Sequence, residues 1–164
     1  MPVTDITKDI DTRTLTITAE FAAPVERVWA MYADPRQLEK VWGPPEYPAT
    51  FVEHDLRPGG RTTYYMTSPE GERFAGYWEI TDVVEPRRFA FRDGFADADL
   101  HPNPELPVSE NVYAFEEREG GTRAVFTSTF GSAEAMQTVL DMGMEEGARS
   151  AINQIDSWLV QHPA

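Results

Sequence analysis

The sequence predicts an α+β fold, an antiparallel sheet curved against one long carboxy-terminal helix. Three observations carry this. In Thr14–Phe21, and again from Ala49 to Phe130, apolar residues recur at every second position, the period of half-buried strands. The runs are divided by short turn sequences, Pro58-Gly59-Gly60, Ser68-Pro69-Glu70-Gly71, Glu85-Pro86-Arg87 and Glu119-Gly120-Gly121, and short connections join antiparallel neighbours. From Ser132 to Val160 the period becomes that of an amphipathic helix.

Residues 1–11 read as a short polar tail without the apolar core of a signal peptide. In Thr14–Phe21, Leu15, Ile17, Ala19 and Phe21 share one face of the first strand. Ala23-Pro24 opens a helix, because proline in a first turn loses no hydrogen bond. Val25, Val28, Trp29 and Tyr32 give that helix its buried stripe, and Asp34-Pro35 ends it. A second short helix over 36–41 runs into a loop at Trp42-Gly43-Pro44-Pro45. Strands follow near 49–56, 60–67, 73–84, 87–92, 110–117 and 122–130. Asp93–Ser109, with Pro102, Pro104 and Pro107, has little periodicity and reads as a long loop, of the kind that is either a lid or mobile. In the terminal helix Ser132 is the expected N-cap and Glu134 suits the first turn. Leu140, Met144, Gly147 or Ala148, Ala151, Ile155 and Trp158 or Leu159 form its inward stripe. Gly143 and Gly147 fall four residues apart on one face, although each glycine in a helix costs about 0.8–1.0 kcal/mol relative to alanine. Such a pair implies close packing or space kept beside the helix.

A chain of 164 residues with 41% hydrophobic content is one domain, able to bury roughly 70% of its unfolded surface. The absence of cysteine excludes disulfides, thiolate catalysis and zinc–thiolate or iron–sulfur sites. A formal net charge of −14 disfavours nucleic acid and anionic lipid, which need clustered Lys and Arg. No stretch approaches the roughly 18 apolar residues of a membrane span, so a cytoplasmic protein without membrane insertion is expected. No cofactor motif is present: Pro58-Gly59-Gly60-Arg61 is too short for a phosphate loop and lies between strands. Asp97, Asp99 and His101 form a D-x-D-x-H cluster, read as a solvated loop rather than a metal site.

Chemistry therefore rests on a few side chains. Alternation puts Val52, His54 and Leu56 on one strand face, and His54 is either a structural histidine bonded to a backbone carbonyl or a polar contact in a ligand cavity. Tyr64, Phe74, Trp78, Phe89, Phe91, Tyr113, Phe115, Phe126 and Phe130 are expected to look inward. The polar tips of Tyr64, Trp78 and Tyr113, with His54 and Ser128, would then converge on one concave face.

Order and motifs resemble the START-like (SRPBCC) superfamily, and within it the branch related to the carboxy-terminal domain of the heat-shock-protein-90 ATPase activator. The resemblance is carried by A-P-V-E-R-V-W at 23–29, Trp42-Gly43, D-L-R-P-G-G at 55–60 with Gly71, G-Y-W-E-I at 76–80, E-P-R-R-F at 85–89, M-G-M-E-E-G at 142–147 and I-D-S-W-L at 155–159. It covers residues 12–160 and implies a helix-grip (Bet v 1-like) fold: seven antiparallel strands, two short helices after the first strand, and a hydrophobic cavity under the last helix. The expected role is a carrier or sensor of a small hydrophobic or aromatic molecule, without catalytic residues. Its expected lining is Trp42, His54, Tyr64, Trp78, Phe91, Tyr113, Phe126, Met144, Gly147 and Ala151. One alternative is a cyclase- or hydrolase-like enzyme with His54 as base and Tyr64 or Tyr113 as hydrogen-bond donor. Another is a chaperone-related or regulatory interaction module with an exposed apolar patch. The sequence also admits a homodimer.

Overall fold

The computed structural model describes residues 2–162. Eight strands form one antiparallel sheet: β1 (Val3–Asp9), β2 (Thr14–Phe21), β3 (Ala49–His54), β4 (Arg61–Thr67), β5 (Arg73–Val84), β6 (Arg88–Ala96), β7 (Ser109–Arg118) and β8 (Gly121–Phe130). Their order across the sheet is β1-β2-β8-β7-β6-β5-β4-β3. The expected seven strands become eight because residues 3–9 pair with β2 from Val3↔Ala19 to Asp9↔Thr14. This edge strand buries little on either face. It therefore lacks the alternation by which a strand is recognised.

Helices α1 (Val25–Ala33) and α2 (Pro35–Leu38) follow β2. Asp34 ends the first and caps the second, accepting from the Arg36 amide at 2.9 Å. Trp29 and Tyr32 of α1 meet Phe89 and Phe115 on the sheet, with ring centroids 5.4–6.2 Å apart. Helix and sheet thereby close one end of the core. No helix among the described residues is long and apolar enough to cross a membrane.

The carboxy-terminal helix is interrupted. It is divided into α3 (Ala133–Asp141), α4 (Met144–Asn153) and α5 (Ile155–Gln161). Ser132 caps α3 as expected, accepting from the Ala135 amide at 3.0 Å. Gly143 has φ +86°, a left-handed conformation in which L side chains are strained. It ends α3, its amide donating to Leu140 O at 3.0 Å, and serves as the N-cap of α4. Gly143 and Gly147 thus do not share one helix face. An apolar period running through residue 143 concealed the break, because periodicity reports which side chains are buried and not whether φ changes sign.

Three further expectations are corrected. A bulge between Phe51 and Glu53 turns Val52 out to solvent, while Phe51 and His54 face the core. Phe74 is 46% exposed: it shares the face of Trp78 but lies at the strand's end, beside Met66 and with Tyr47 as its ring neighbour, centroids 6.2 Å apart. The loop expected from Asp93 begins later, at Asp97, and runs to Val108. Strand β6 continues to Ala96, Ala96 pairs with Pro102, and Asp97 accepts from the Asp99 and His101 amides at 2.9 and 3.0 Å. An Asx-type turn of this kind replaces hydrophobic periodicity with side-chain hydrogen bonds.

Candidate functional site

The inward face of the sheet is built in rows by strand register. One row runs His54–Thr62–Trp78–Asp93–Ser109–Phe130 across six strands. The next runs Ile80–Phe91–Asn111–Ser128–Leu15. Trp42, from the loop after α2, lies over the first row, with ring centroids 5.0 Å from Trp78, 5.7 Å from Tyr64 and 6.4 Å from Tyr113. Trp78 stacks on Phe91 at 4.3 Å, and Tyr113 meets Phe126 edge-on at 4.5 Å. Six expected lining residues, Trp42, Tyr64, Trp78, Phe91, Tyr113 and Phe126, therefore form one connected aromatic wall. Gly76 lets this happen on β4: the Tyr64 ring lies across it, so that a Cβ there would come 2.5 Å from the Tyr64 hydroxyl.

His54 joins the wall 5.6 Å from Trp78, but its polar atoms are committed. Nε2 lies 2.7 Å from Tyr32 O and Nδ1 2.8 Å from Thr62 Oγ1. A carbonyl only accepts, so Nε2 carries the proton and Nδ1 accepts from the threonine hydroxyl. Burial lowers the His54 pKa, which the bond to Tyr32 partly offsets. Ser128 is committed as well, donating to Asn111 Oδ1 at 2.6 Å, while Asn111 Nδ2 donates to Ser109 Oγ at 3.0 Å. Of the expected polar tips, His54 and Ser128 thus belong to the frame.

The remaining tips differ. Burial raises the pKa values of Tyr64 and Tyr113 well above the ordinary phenol range, and the indole N–H groups of Trp42 and Trp78 lie close enough to the Tyr64 hydroxyl to offset part of its rise. The Trp78 indole nitrogen is sealed without a partner. Beside them stands Asp93, which loss of periodicity places in the loop but which pairs with Trp78 and Ser109 in the sheet. Alternation along β6 turns Phe89, Phe91, Asp93 and Phe95 inward, opposite to Arg92, which pairs with Glu110 outside at 2.8 Å. The Asp93 carboxylate has no hydrogen bond or ion pair among the described residues, and desolvation pushes its pKa up from 3.8 to about 7. Its negative charge is felt at Tyr64 and Tyr113. Asp93 and Tyr113 are only partly buried, so this end of the interior meets accessible space. The alternating F-x-F-x-D-x-F at 89–95 was the available signal.

Helix α4 lies against β1, with Met144 and Ala148 packed on the core. Ala151 is buried, while Met144, Gly147 and Ala148 are only partly so. A Cβ on Gly147 would point to Pro44, 3.9 Å away, and not to the sheet. The helix is held at its margins: Val3 N donates to Asn153 Oδ1 at 3.0 Å, Lys8 pairs with Glu145 at 2.7 Å, and Gln154 Nε2 donates to Gly43 O at 2.7 Å.

Residues 22–159 match the family model described as Activator of Hsp90 ATPase homolog 1-like protein. The chain belongs to that family. This Hsp90-activator-like chain is similar to a crystal structure of a protein from Mycobacterium smegmatis, with 70% identity, TM-score 0.90, and 96% of this chain and 97% of that one covered. A solution structure from Arthrobacter aurescens shares 46% identity at TM-score 0.92, with 97% and 92% covered. One from Staphylococcus epidermidis shares 27% at TM-score 0.83, with 96% and 94% covered. A comparison with curated proteins returned no match.

Two surface clefts of this Hsp90-activator-like domain lie apart from the aromatic wall. One of about 390 Å³ sits between Arg36, Glu39, Pro44, Pro48 and Gln154. One of about 230 Å³ sits between Pro24, Arg27, Asp156 and Leu159. The Asp97, Asp99 and His101 ligand atoms lie within 4.8 Å of one another on the exposed turn. Asp97 already spends a carboxylate oxygen on holding that turn.

Proposed function

We propose that this protein binds a small hydrophobic or aromatic molecule between the inward face of the sheet and helix α4. The observations that support this reading are the aromatic wall of Trp42, Tyr64, Trp78 and Tyr113, with the unpartnered Trp78 indole nitrogen, and the partly exposed Met144 and Ala148 that α4 sets against the same core. An apolar recess with a few oriented polar groups is the usual form of a small-molecule site. Helix-grip members of the superfamily that this chain resembles include lipid, hormone and polyketide carriers. The lining proposed is the set expected from sequence, with Asp93 added, His54 assigned to its frame and Gly147, which faces Pro44, left out. With both ring nitrogens engaged, His54 is poorly placed to serve as a general base.

Native mass spectrometry of freshly purified protein tests the reading, together with titration of an environment-sensitive apolar dye. A co-purified small molecule, or saturable dye binding displaced by aromatic compounds, is the expected result. A bare chain mass with no saturable binding overturns it.

A further inference from the structure

We propose that the guest of this site is a lipophilic amine, whose ammonium group sits against Asp93 while its apolar body lies among Trp42, Tyr64, Trp78 and Tyr113. This rests on the binding reading above and names the ligand's chemistry. Asp93 is the one carboxylate in the two inward rows described above, and it has no partner among the described residues. A carboxylate that water reaches only in part and that has no counter-charge is unfavourable, and a bound cation reduces that penalty.

Among the described residues no protein cation is positioned to do so. The groups facing Asp93 are Tyr64 on β4, Trp78 on β5, and Ser109 and Tyr113 on β7. His54, in the same row, is bonded on both nitrogens. On helix α4 Arg149 is paired with Glu145 and Glu146, and Lys8 of β1 is paired with Glu145. Burial raises the Tyr64 and Tyr113 pKa values and keeps both phenols neutral, so neither competes for a cation as an anion.

The aromatic surroundings favour the same chemistry. Trp42 stands nearly perpendicular to Tyr64 and to Trp78, at 78° and 70°, so the rings form a corner with faces on more than one side. Ring faces attract cations, tryptophan most strongly. A formal net charge of −14 draws cations toward the protein and opposes anionic guests. The competing guest is a neutral acceptor, held by protonated Asp93 and the unpartnered Trp78 N–H.

The test compares 1-naphthylmethylamine, 1-naphthylmethanol and 1-naphthoate by isothermal titration calorimetry on the full chain at about pH 6 and about pH 8. With a carboxyl titrating near 7, the ionised fraction rises about tenfold across that interval. Amine affinity should rise by about the same factor while alcohol affinity stays constant. At the higher pH the amine should bind about tenfold more tightly than the alcohol, and Asp93→Asn should erase that preference while still binding the alcohol. Equal affinity for amine and alcohol, tighter binding of naphthoate, or an amine preference surviving in D93N overturns the inference and leaves the binding site standing. Failure of all three compounds to bind overturns the site itself. Should D93N not fold, the wild-type pH profile decides: a rise for the amine alone upholds the assignment, and parallel or flat profiles overturn it.

Discussion

His54 and Asp93 occupy the same inward row and make opposite demands on pH. The folded-state pKa of His54 is depressed by burial, so the unfolded chain binds that proton more tightly and stability is lost as pH falls below 6.5. Asp93 is raised to about 7 from 3.8. Its protonated form favours the folded state at low pH, and this contribution is lost as pH rises toward and through 7. Asp93→Asn should therefore gain on the wild type as pH rises from about 4 to about 8, by about 2 kcal/mol, since water reaching the carboxyl reduces the effect. Paired urea titrations across that range measure it, and a constant difference would contradict the assignment. His54→Ala leaves Tyr32 O and the Thr62 hydroxyl without their partner. It should cost about 2–4 kcal/mol at neutral pH, read as a lower urea midpoint. His54 was legible as an inward residue from its apolar neighbours, although the bulge makes Phe51, and not Val52, its companion. Asp93 was not legible in that way. A buried carboxylate is so costly that an acidic residue after Phe91 reads as the end of a strand.

The carboxy-terminal helices show at the level of the element what hydrophobic period conveys and what it omits. The stripe correctly identifies Ala151, Ile155 and Leu159 as buried. It contains nothing about the sign of φ at residue 143. The two glycines consequently differ in their response to substitution. Gly143→Ala forces an L side chain into a left-handed conformation with open space around it, so the loss is conformational, about 1–2 kcal/mol. Gly147→Ala places a methyl in ordinary contact with Pro44 and should raise stability by up to about 1 kcal/mol. Thermal unfolding of the two variants should shift in opposite directions; equal losses would mean that α4 is seated directly on its neighbours at Gly147. Strand β1 was invisible to periodicity because an edge strand need not bury a stripe, yet through Val3 and Lys8 it anchors α4. Deleting residues 2–9 should accelerate amide exchange in α4 more than in α1, which touches neither contact.

Across the whole molecule, turn chemistry and alternation set antiparallel neighbours for β3 to β6 and for β7 with β8, whereas the pairing of β2 with β8 closes over more than a hundred residues and has no local signal. The polar interior did not follow, because hydrogen bonds such as Ser128 to Asn111 join residues 17 positions apart and depend on register. Register also explains the most adjustable feature of the wall. Since the Tyr64 ring rests on Gly76, the missing side chain at 76 sets how close that ring lies to the strand. Gly76→Ala would push the phenol off the strand and narrow the proposed recess while every residue that faces the guest keeps its identity. Position 76 thus acts as a calibre adjustment: the substituted protein should retain monocyclic compounds while losing fused-ring ones, as competition between toluene and naphthalene would register.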